Sequence, residues 1–524
     1  MCNIPDRRSC LAMSRPLASA DDELTQKLAP VVRARVISAA FELLGGLLLV
    51  LWLPMAEFAI LAYLVMIFGV ARALATMGAQ ESLLYFCEAW PLEHRRALML
   101  RTAGILHVSA AVASLAMLAL AWISPWLLDE WNPAEIDIVS TSLPKLALVA
   151  FIEFPTWAFV GALLGTGRTR QASNYQLVTT ALGLLAVLGP AAAGLGPTTI
   201  VGCIVAAGIA RFVLTATWMG FILPRTGADL PAGSFREQIN FSLPLGAASL
   251  VAKINKSADK FIVAYFLPAA ATAEYVFATY ELTFVTAVPM AIGSVLLPRY
   301  VATLRERDRA ALLGLFRVAA RKGAIVVVGA AVFAFALAPD IINTLAGDDY
   351  AGAVWPFRIF MLILAHRVAQ YGALLQAAGD TKVLLRLAFI AVASSVSLSL
   401  ALAPFFGTIG VATGTLIAAM IAFVAYLRAV KARFKAPLSS ILPWRSIAKI
   451  VGASTLSACM VWFLRWHSPL ASLPQTTALA LALGFYTLVY LSLGRVLGAI
   501  RPSDFRAMAA VLGLGKMSVG RGGS

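Results

Sequence analysis

The sequence predicts an all-α polytopic membrane protein with about fourteen transmembrane helices, and this fold class rests on three observations. Apolar stretches of about 20 residues, long enough to cross the hydrocarbon core as helices, recur along the chain between short polar loops. Hydrophobic residues make up 60% of the chain and charged residues 13%, a balance outside the range of soluble domains. Basic residues cluster in alternate loops. Because backbone within lipid must satisfy its own hydrogen bonds, the apolar stretches are helices rather than strands.

The helices follow one another with short connections. The predicted spans are 32–55, 57–79, 100–127, 143–166, 175–196, 198–224, 239–266, 275–298, 320–346, 352–378, 384–406, 408–430, 444–465 and 476–499. Arginine and lysine precede the first span and follow every second one, whereas acidic residues such as Glu57, Asp129 and Asp348 occupy the other loops. This positive-inside pattern predicts a multi-pass protein of the inner (plasma) membrane with both termini in the cytoplasm. The net charge of +16 therefore reflects topology and contact with anionic lipid rather than nucleic acid.

The two halves of the chain contain related segments. ALLGTGRTR at 162–170 aligns with LLQAAGDTK at 374–382, 212 positions later, and the same offset aligns 202–207 with 414–419. Each copy holds six spans, an even number, which predicts two six-helix lobes related by a pseudo-two-fold axis along the membrane normal, with two extra C-terminal helices. The predicted ranges are a cytoplasmic tail 1–31, an N-lobe 32–224, a cytoplasmic linker 225–238, a C-lobe 239–430, a basic loop with the extra helix pair 431–499, and a cytoplasmic tail 500–524.

Motifs of enzymes and of metal sites are missing from the sequence. The five cysteines lack metal-ligand spacing, and no GxxxxGK[ST] phosphate-binding loop occurs. The four histidines show no hydrolase arrangement. The longest predicted outer loop, 128–142, is too short for a catalytic domain. We therefore expect a transporter or a scaffold rather than an enzyme, with no cofactor and no metal.

Ionisable side chains within the predicted spans are the candidate functional residues. On insertion scales each costs about 2.5–3.5 kcal/mol at a helix centre when it faces lipid, so the set predicts a polar interior or a hydrated cavity. Basic residues outnumber acidic ones, and such a cavity attracts an anion. Besides histidine, the set comprises Glu42, Arg72, Glu153, Arg211, Lys253, Lys256, Asp259, Lys260, Glu281, Arg358 and Arg367.

The seventh span has the most specific charge pattern. Lys253, Lys256 and Lys260 are spaced i, i+3 and i+7, which predicts a cationic stripe on one helix face. Asp259 lies one turn from Lys256 and can hold part of that charge. Together with the arginines of the set, the stripe predicts a ladder of cations along which a phosphate moves across the membrane. Alternatively, the two arginines nearest the interfaces, Arg72 and Arg358, extend towards the lipid headgroups.

The acidic members of the set have two interpretations. The carboxylates of this set could bind a coupling proton or sodium ion, or they could be counter-ions of the basic residues. They are Glu42, Glu153, Asp259 and Glu281.

Two local features concern the shape of the helices. Pro155 and Pro289 should kink the fourth and the eighth span, because proline removes a backbone donor. The segment 305–322 has basic and apolar faces and predicts an amphipathic helix on the inner leaflet.

Several segments in the second half resemble the polysaccharide-transport family of lipid-linked oligosaccharide flippases, which shares a superfamily with the multidrug and toxic compound extrusion transporters. The matching segments are FREQINFSLPLGAASLVAKINKSADKFIVAYFL, AEYVFATYELTFVTAVPMAIGSVLLPRYV, LLQAAGDTKVLL and FFGTIGVATGTLIAA. The first half is similar more loosely, through FAILAYLVMIFGVARALATMGAQESLLYF. The resemblance thus covers most of the chain.

The resemblance implies a carrier that moves a polyprenyl-pyrophosphate-linked oligosaccharide from the cytoplasmic to the outer leaflet by alternating access, in lipopolysaccharide (O-antigen) or exopolysaccharide biosynthesis. It would act as a monomer in the lipid bilayer, alongside a glycan polymerase and a chain-length regulator. One alternative is a multidrug exporter of the same superfamily, whose cationic substrates a positive cavity would repel. The alternative from another class is a membrane-embedded glycan polymerase or ligase.

Overall fold

The computed structural model describes residues 44–222, 227–280, 283–467 and 473–501, and within these ranges it consists of helices and loops without a strand. The predicted all-α fold is therefore confirmed. The chain divides into two compact units, Met1–Lys253 and Ile254–Ser524, here called the first and second unit. The predicted domain ranges stay a prediction, as does the pseudo-two-fold axis.

The first unit is built from eight helices and the beginning of a ninth. They are α1 (44–52 of the described residues), α2 (Met55–Thr76), α3 (Ala79–Ala89), α4 (Arg95–Leu127), α5 (Pro133–Glu153), α6 (Ala158–Gly165), α7 (Thr169–Ala192), α8 (Pro197–Ile222) and the first part of α9 (Ser234–Phe266). Helix α5 packs against α2, α4 and α8, and α7 packs against α6 and α8.

The second unit contains the rest of α9 and ten further helices. They are α10 (Ala269–Ala278), α11 (Thr283–Arg305), α12 (Arg309–Ala336), α13 (Ala338–Ala346), α14 (Val354–His366), α15 (Gly372–Ala377), α16 (Thr381–Phe434), α17 (Leu438–Ile441), α18 (Trp444–His467) and α19 (Gln475–Val496). Helix α12 lies at the centre, where it packs against α11, α14 and α18.

Nine helical segments in the described ranges are long and apolar enough to cross a membrane, so the protein is a multi-pass membrane protein. One of these segments, Lys382–Phe434, contains two predicted spans. Within it the chain reverses at Gly407, whose φ of 55° and ψ of −135° interrupt α16 at the predicted boundary between the spans. The first predicted span lies mostly outside the described residues, so the number fourteen is consistent with the structure but stays a prediction.

The predicted kink at Pro155 is confirmed, whereas α11 continues without a break through Pro289, so a kink there stays a prediction. Helix α5 ends at Glu153, a 3₁₀ turn covers Phe154–Trp157, and α6 begins at Ala158. The tenth span is broken at the corresponding place in the repeat, because α14 ends at His366 and α15 begins at Gly372. That second break contains no proline, and nothing in the sequence predicted it.

The repeated turn after each broken helix has the same backbone geometry in both units. Gly167 and Gly379 have φ values of 78° and 73°, in the left-handed region that favours glycine. The N–H of the following residue donates back to a leucine carbonyl in each case, Arg168 to Leu163 at 2.8 Å and Asp380 to Leu375 at 3.0 Å. The local alignment at an offset of 212 positions therefore reflects a shared helix-ending turn.

The expectation of a separate surface helix over 305–322 is wrong. Helix α12 runs without a break from Arg309 to Ala336, and the Asp308 carboxylate caps it by accepting from the Ala311 N–H at 2.9 Å. The apolar face of the segment is buried against protein, with Leu312 and Phe316 in the hydrophobic core of the second unit. The same pattern of polar and apolar faces fits a helix that packs on neighbouring helices as well as one that lies on lipid.

A candidate anion-binding cavity in the first unit

Helices α2, α3, α7 and α8 and the break between α5 and α6 line an open cavity of about 420 Å³. Its volume falls within the range of about 300–1,000 Å³ that is common for small-molecule sites. The side chains with polar groups in its lining are Arg72, Gln80, Glu153, Trp157, Gln176, Thr179, Thr180 and Arg211. The cavity thus joins residues from helices that are far apart in the sequence.

Trp157 is the last residue of the 3₁₀ turn Phe154–Trp157, which contains Pro155, and its indole ring contacts two cations. The guanidinium carbons of Arg72 and Arg211 lie 4.3 and 4.1 Å from the ring centroid. Each such cation–π contact contributes roughly 0.5–2 kcal/mol, and more when the cation is removed from water. One aromatic ring therefore stabilises two like charges close together within the predicted spans.

Glu153 is the acidic partner of this pair of cations. Its Oε1 accepts a hydrogen bond from Arg211 Nη1 at 3.0 Å, and both side chains are about nine-tenths buried. Helix α8 can approach the carboxylate because residue 208 is glycine, where a Cβ would lie 2.5 Å from Val149 Cγ1 and 3.2 Å from Glu153 Oε2. Removing one partner of a buried ion pair typically costs about 3–5 kcal/mol. The structure therefore places Glu153 as a counter-ion, one of its two predicted roles.

Two hydrogen-bond donors beside the ion pair have no acceptor. Arg211 Nε and Trp157 Nε1 are both buried, and neither has a hydrogen-bond partner among the described residues. A buried donor without an acceptor costs about 1–3 kcal/mol, so native proteins rarely retain one unless a ligand or water supplies the acceptor. The cavity can therefore bind an oxyanion or a hydroxyl group next to Arg211.

Trp157 and the neutral polar lining of the cavity were not predicted from the sequence. Helix α7 contributes Gln176, Thr179 and Thr180, spaced i, i+3 and i+4 on one face of an otherwise apolar helix. This spacing is a signal for a polar cavity that could have been read from the sequence. No comparable signal identified Trp157, since a tryptophan in a membrane helix is usually buried among apolar groups or located at the interface.

The three lysines of the predicted stripe, Lys253, Lys256 and Lys260, have different surroundings. The side chain of Lys253 packs against α2, where a Cβ at Gly69 would lie 2.8 Å from Lys253 Cε and 2.9 Å from Nζ. Lys256 is exposed. Lys260 Nζ donates to Asp259 Oδ1 at 3.3 Å and to the Lys256 carbonyl at 3.0 Å. The predicted spacing on α9 is present, but the three ammonium groups do not share one environment.

Asp259 is the centre of a buried polar cluster in the second unit. Besides the contact with Lys260, its Oδ2 accepts a hydrogen bond from the hydroxyl group of Tyr275 on α10 at 3.1 Å. Asp259 is 5% exposed. The carboxylate is thus neutralised by the adjacent lysine and held by a tyrosine, as expected of a counter-ion.

The other predicted residues lie elsewhere. Arg358 Nε donates to the Phe335 carbonyl at 3.2 Å, near the C-terminal end of α12, where carbonyls lack intrahelical partners, and its guanidinium stacks on Trp355. Arg367 is exposed in the break between α14 and α15. Glu42 and Glu281 lie outside the described residues, so their roles stay predictions.

Several solved structures of membrane transport proteins have a similar fold. The chain is similar to "Lipid II flippase MurJ, inward closed conformation", with a TM-score of 0.69 and 14% identity over 89% of this chain and 98% of that one. It is also similar to an inward-facing multidrug resistance MATE family transporter of the MOP superfamily, with a TM-score of 0.62 and 16% identity over 76% and 95% of the two chains. A MOP superfamily transporter from Pyrococcus furiosus, described as having a binding pocket of reverse polarity, matches with a TM-score of 0.56 and 16% identity over 79% and 97%.

At these identities the likeness shows the fold alone, which is the fold of the MOP superfamily transporters. A match of the sequence to a protein family gives a more specific assignment than the fold does. The sequence profile of a family described as polysaccharide biosynthesis protein matches residues 49–355, more than half of the chain, and the protein belongs to that family. The resemblance to polysaccharide transporters is thereby confirmed. No protein of curated function matches the sequence.

Proposed function

We propose that the protein is a flippase that carries a polyprenyl-pyrophosphate-linked oligosaccharide from the cytoplasmic to the outer leaflet by alternating access. The pathway would be the biosynthesis of lipopolysaccharide, including O-antigen, or of exopolysaccharide. The observation that supports this most strongly is the pairing of Arg72 and Arg211 on Trp157 within predicted membrane spans, in a chain of a polysaccharide biosynthesis family. We further propose that the protein works as a monomer beside a glycan polymerase and a chain-length regulator.

The composition of the cavity matches the chemistry of such a substrate. A diphosphate needs cationic groups to replace its hydration shell, and arginine supplies these together with directional hydrogen bonds. Sugar hydroxyl groups need donors and acceptors, which the amides of Gln80 and Gln176 and the hydroxyl groups of Thr179 and Thr180 provide. The polyprenyl tail requires neither and can stay in the bilayer. Translocation on these terms breaks no covalent bond, so no catalytic group is needed.

The charge of the cavity argues against export of cationic drugs. Among the described residues of the lining, arginine outnumbers glutamate by two to one, and this excess of basic side chains disfavours a cationic ligand in a medium of low dielectric constant. A polymerase or ligase would instead convert a lipid-linked glycan donor. Product formation from such a donor by the purified protein would support that alternative over the flippase.

The test is a flipping assay in vesicles that contain the purified protein and a fluorescent lipid-linked oligosaccharide. The fraction of the lipid accessible to a membrane-impermeant quencher is followed over time. Arg72→Gln and Arg211→Gln should each slow flipping about tenfold or more, because a hydrogen bond to a charged group is worth about 1.5–3 kcal/mol. Arg170→Gln is the matched control, since Arg170 is an exposed arginine of the same unit outside the cavity lining.

Two outcomes would contradict the proposal. One is a rate of flipping no higher than in vesicles without protein. The other is parental flipping by both cavity variants at matched protein levels, which would exclude this cavity from the substrate path.

A further inference from the structure

The ion pair in the cavity uses only part of the hydrogen-bonding capacity of Arg211. Glu153 accepts from one nitrogen of the guanidinium, Nη1, at 3.0 Å. The Nε–H of the same guanidinium, which points away from Nη1, has no acceptor among the described residues, and neither does the indole Nε1–H of Trp157, although both atoms are buried. Arginine and carboxylate commonly form two parallel hydrogen bonds, so the pair found here is an incomplete one.

An oxyanion with several oxygens would fit this arrangement better than the carboxylate does. A phosphate can accept from two nitrogens of Arg211 at once, and a further oxygen can accept from a second donor beside them. The two free donors, Arg211 Nε–H and Trp157 Nε1–H, belong to side chains in contact, since the guanidinium lies 4.1 Å from the indole centroid. Arg72, on the same ring, adds a second positive charge.

We propose that the carboxylate of Glu153 occupies, in the absence of substrate, the position on Arg211 where the substrate's diphosphate binds. When the diphosphate binds, it displaces the carboxylate. The two N–H groups without an acceptor, on Arg211 and Trp157, then become donors to the ligand. This inference rests on the proposed function, because it takes the diphosphate of a lipid-linked oligosaccharide as the oxyanion.

The exchange of Glu153 for diphosphate on Arg211 avoids a cost that any carrier of anions through lipid has, namely buried cations that lack an anion between two transport cycles. Without Glu153, the guanidinium group of Arg211 would be about nine-tenths buried with no acidic partner among the described residues, which is unfavourable in a low-dielectric interior. Glu153 supplies the negative charge when substrate is absent. Because the carboxylate competes with the ligand from within the protein, it weakens binding and so allows release on the far side of the membrane.

The test measures binding of inorganic diphosphate to the purified full-length protein by isothermal titration calorimetry. Glu153→Gln should bind diphosphate about tenfold more tightly than the parent, because the competitor for Arg211 loses its charge. Arg211→Gln should bind at least tenfold more weakly. Trp157→Phe keeps an aromatic ring under both guanidinium groups but lacks the N–H, so binding should weaken several-fold while the melting temperature stays near that of the parent.

Asp340→Asn is the matched control. Asp340 forms an ion pair with Arg465 at 3.2 Å in the second unit, and both side chains are 19% exposed. Its replacement removes a largely buried carboxylate that lies outside the cavity, so the affinity for diphosphate should not change.

If Glu153→Gln accumulates poorly, Glu153→Asp keeps the charge but withdraws it from Nη1 by one methylene, and binding should still tighten. Affinities in both Glu153 variants that equal or fall below the parental value would overturn the exchange. That result would leave the proposed function intact, because flipping is judged from the Arg72 and Arg211 variants. Conversely, tighter binding of diphosphate in Glu153→Gln, combined with flipping by the parent no faster than in vesicles without protein, would contradict the function and not the exchange.

Discussion

At the scale of single residues, several buried or half-buried charges in the described part of the chain lie beside groups that stabilise them. Arg211 pairs with Glu153 across two helices, and Lys260 pairs with the residue next to it, Asp259. Arg358 instead binds a main-chain carbonyl near a helix end. Each arrangement lowers the free-energy cost of a charge in a membrane helix. The spacing of residues along one helix could not reveal these partners.

The Asp259 cluster gives a prediction about stability. Lys260→Ala leaves Asp259 buried with Tyr275 but without its cation, so the free energy of unfolding should fall by up to about 3–5 kcal/mol. Lys256→Ala removes the same type of side chain one turn away, where it is exposed, and should leave stability near the parental value. Thermal unfolding in detergent measures both, and equal melting temperatures for the two variants would show that Lys260 is not the counter-ion of Asp259.

At the scale of helices, the interruptions are the most informative features. The fourth and tenth spans both break within the membrane-spanning part of the sequence, at positions that correspond in the repeat. Proline explains the first break. At the second, the chain instead packs closely on glycines, since a Cβ at Gly293 would lie 2.1 Å from Gln370 Oε1 and one at Gly323 would lie 2.0 Å from the Val368 carbonyl oxygen. Close packing by neighbouring helices can therefore accommodate a break that the local sequence does not require.

The hairpin in α16 gives a prediction about an element. Gly407 has a φ of 55° and a ψ of −135°, which a residue with a Cβ adopts only with strain of about 1–3 kcal/mol. Its two arms then pack closely, as shown by the Ser399 hydroxyl, which donates to the Val411 carbonyl at 3.3 Å. Gly407→Ala should therefore lower the melting temperature by several degrees, about what 1–3 kcal/mol implies for a domain.

Gly484→Ala is the control for that experiment, because Gly484 lies within α19 and a Cβ there would meet nothing within 4 Å. It should be neutral. If both glycine variants unfold at the parental temperature, the reversal at Gly407 does not depend on the freedom of glycine.

At the scale of the whole molecule, the fold is retained at very low sequence identity. The solved transporters with this fold share 14 to 16% identity with the chain. Such a fold depends on apolar spans of the right length and on loops of alternating charge, which many sequences satisfy. Specific chemistry is then determined by the few polar side chains in the interior, such as those around Trp157.

The orientation of the chain can be tested by labelling in intact cells. In a cysteine-free background, a cysteine at Asp137 should react with a membrane-impermeant thiol reagent, because the acidic loops are predicted to face outwards. A cysteine at Arg307 should react only after the cells are permeabilised. Both positions are exposed in the structure, so differences in burial do not account for the result. The reverse labelling pattern would invert the orientation and, with it, the direction of transport.

The amino-acid sequence by itself determined the all-α membrane fold, the approximate helix positions, the kink at Pro155 and the reversal at Gly407. These features depend on local hydropathy and on the stereochemistry of single residues, which a sequence contains directly. Only the tertiary structure decided that Arg72 and Arg211 meet on Trp157, that Glu153 neutralises Arg211, and that the lysines of α9 have different surroundings. Spacing on one helix determines which residues share a face, but the partner of that face is set by how helices pack, and packing joins positions that are far apart in the chain.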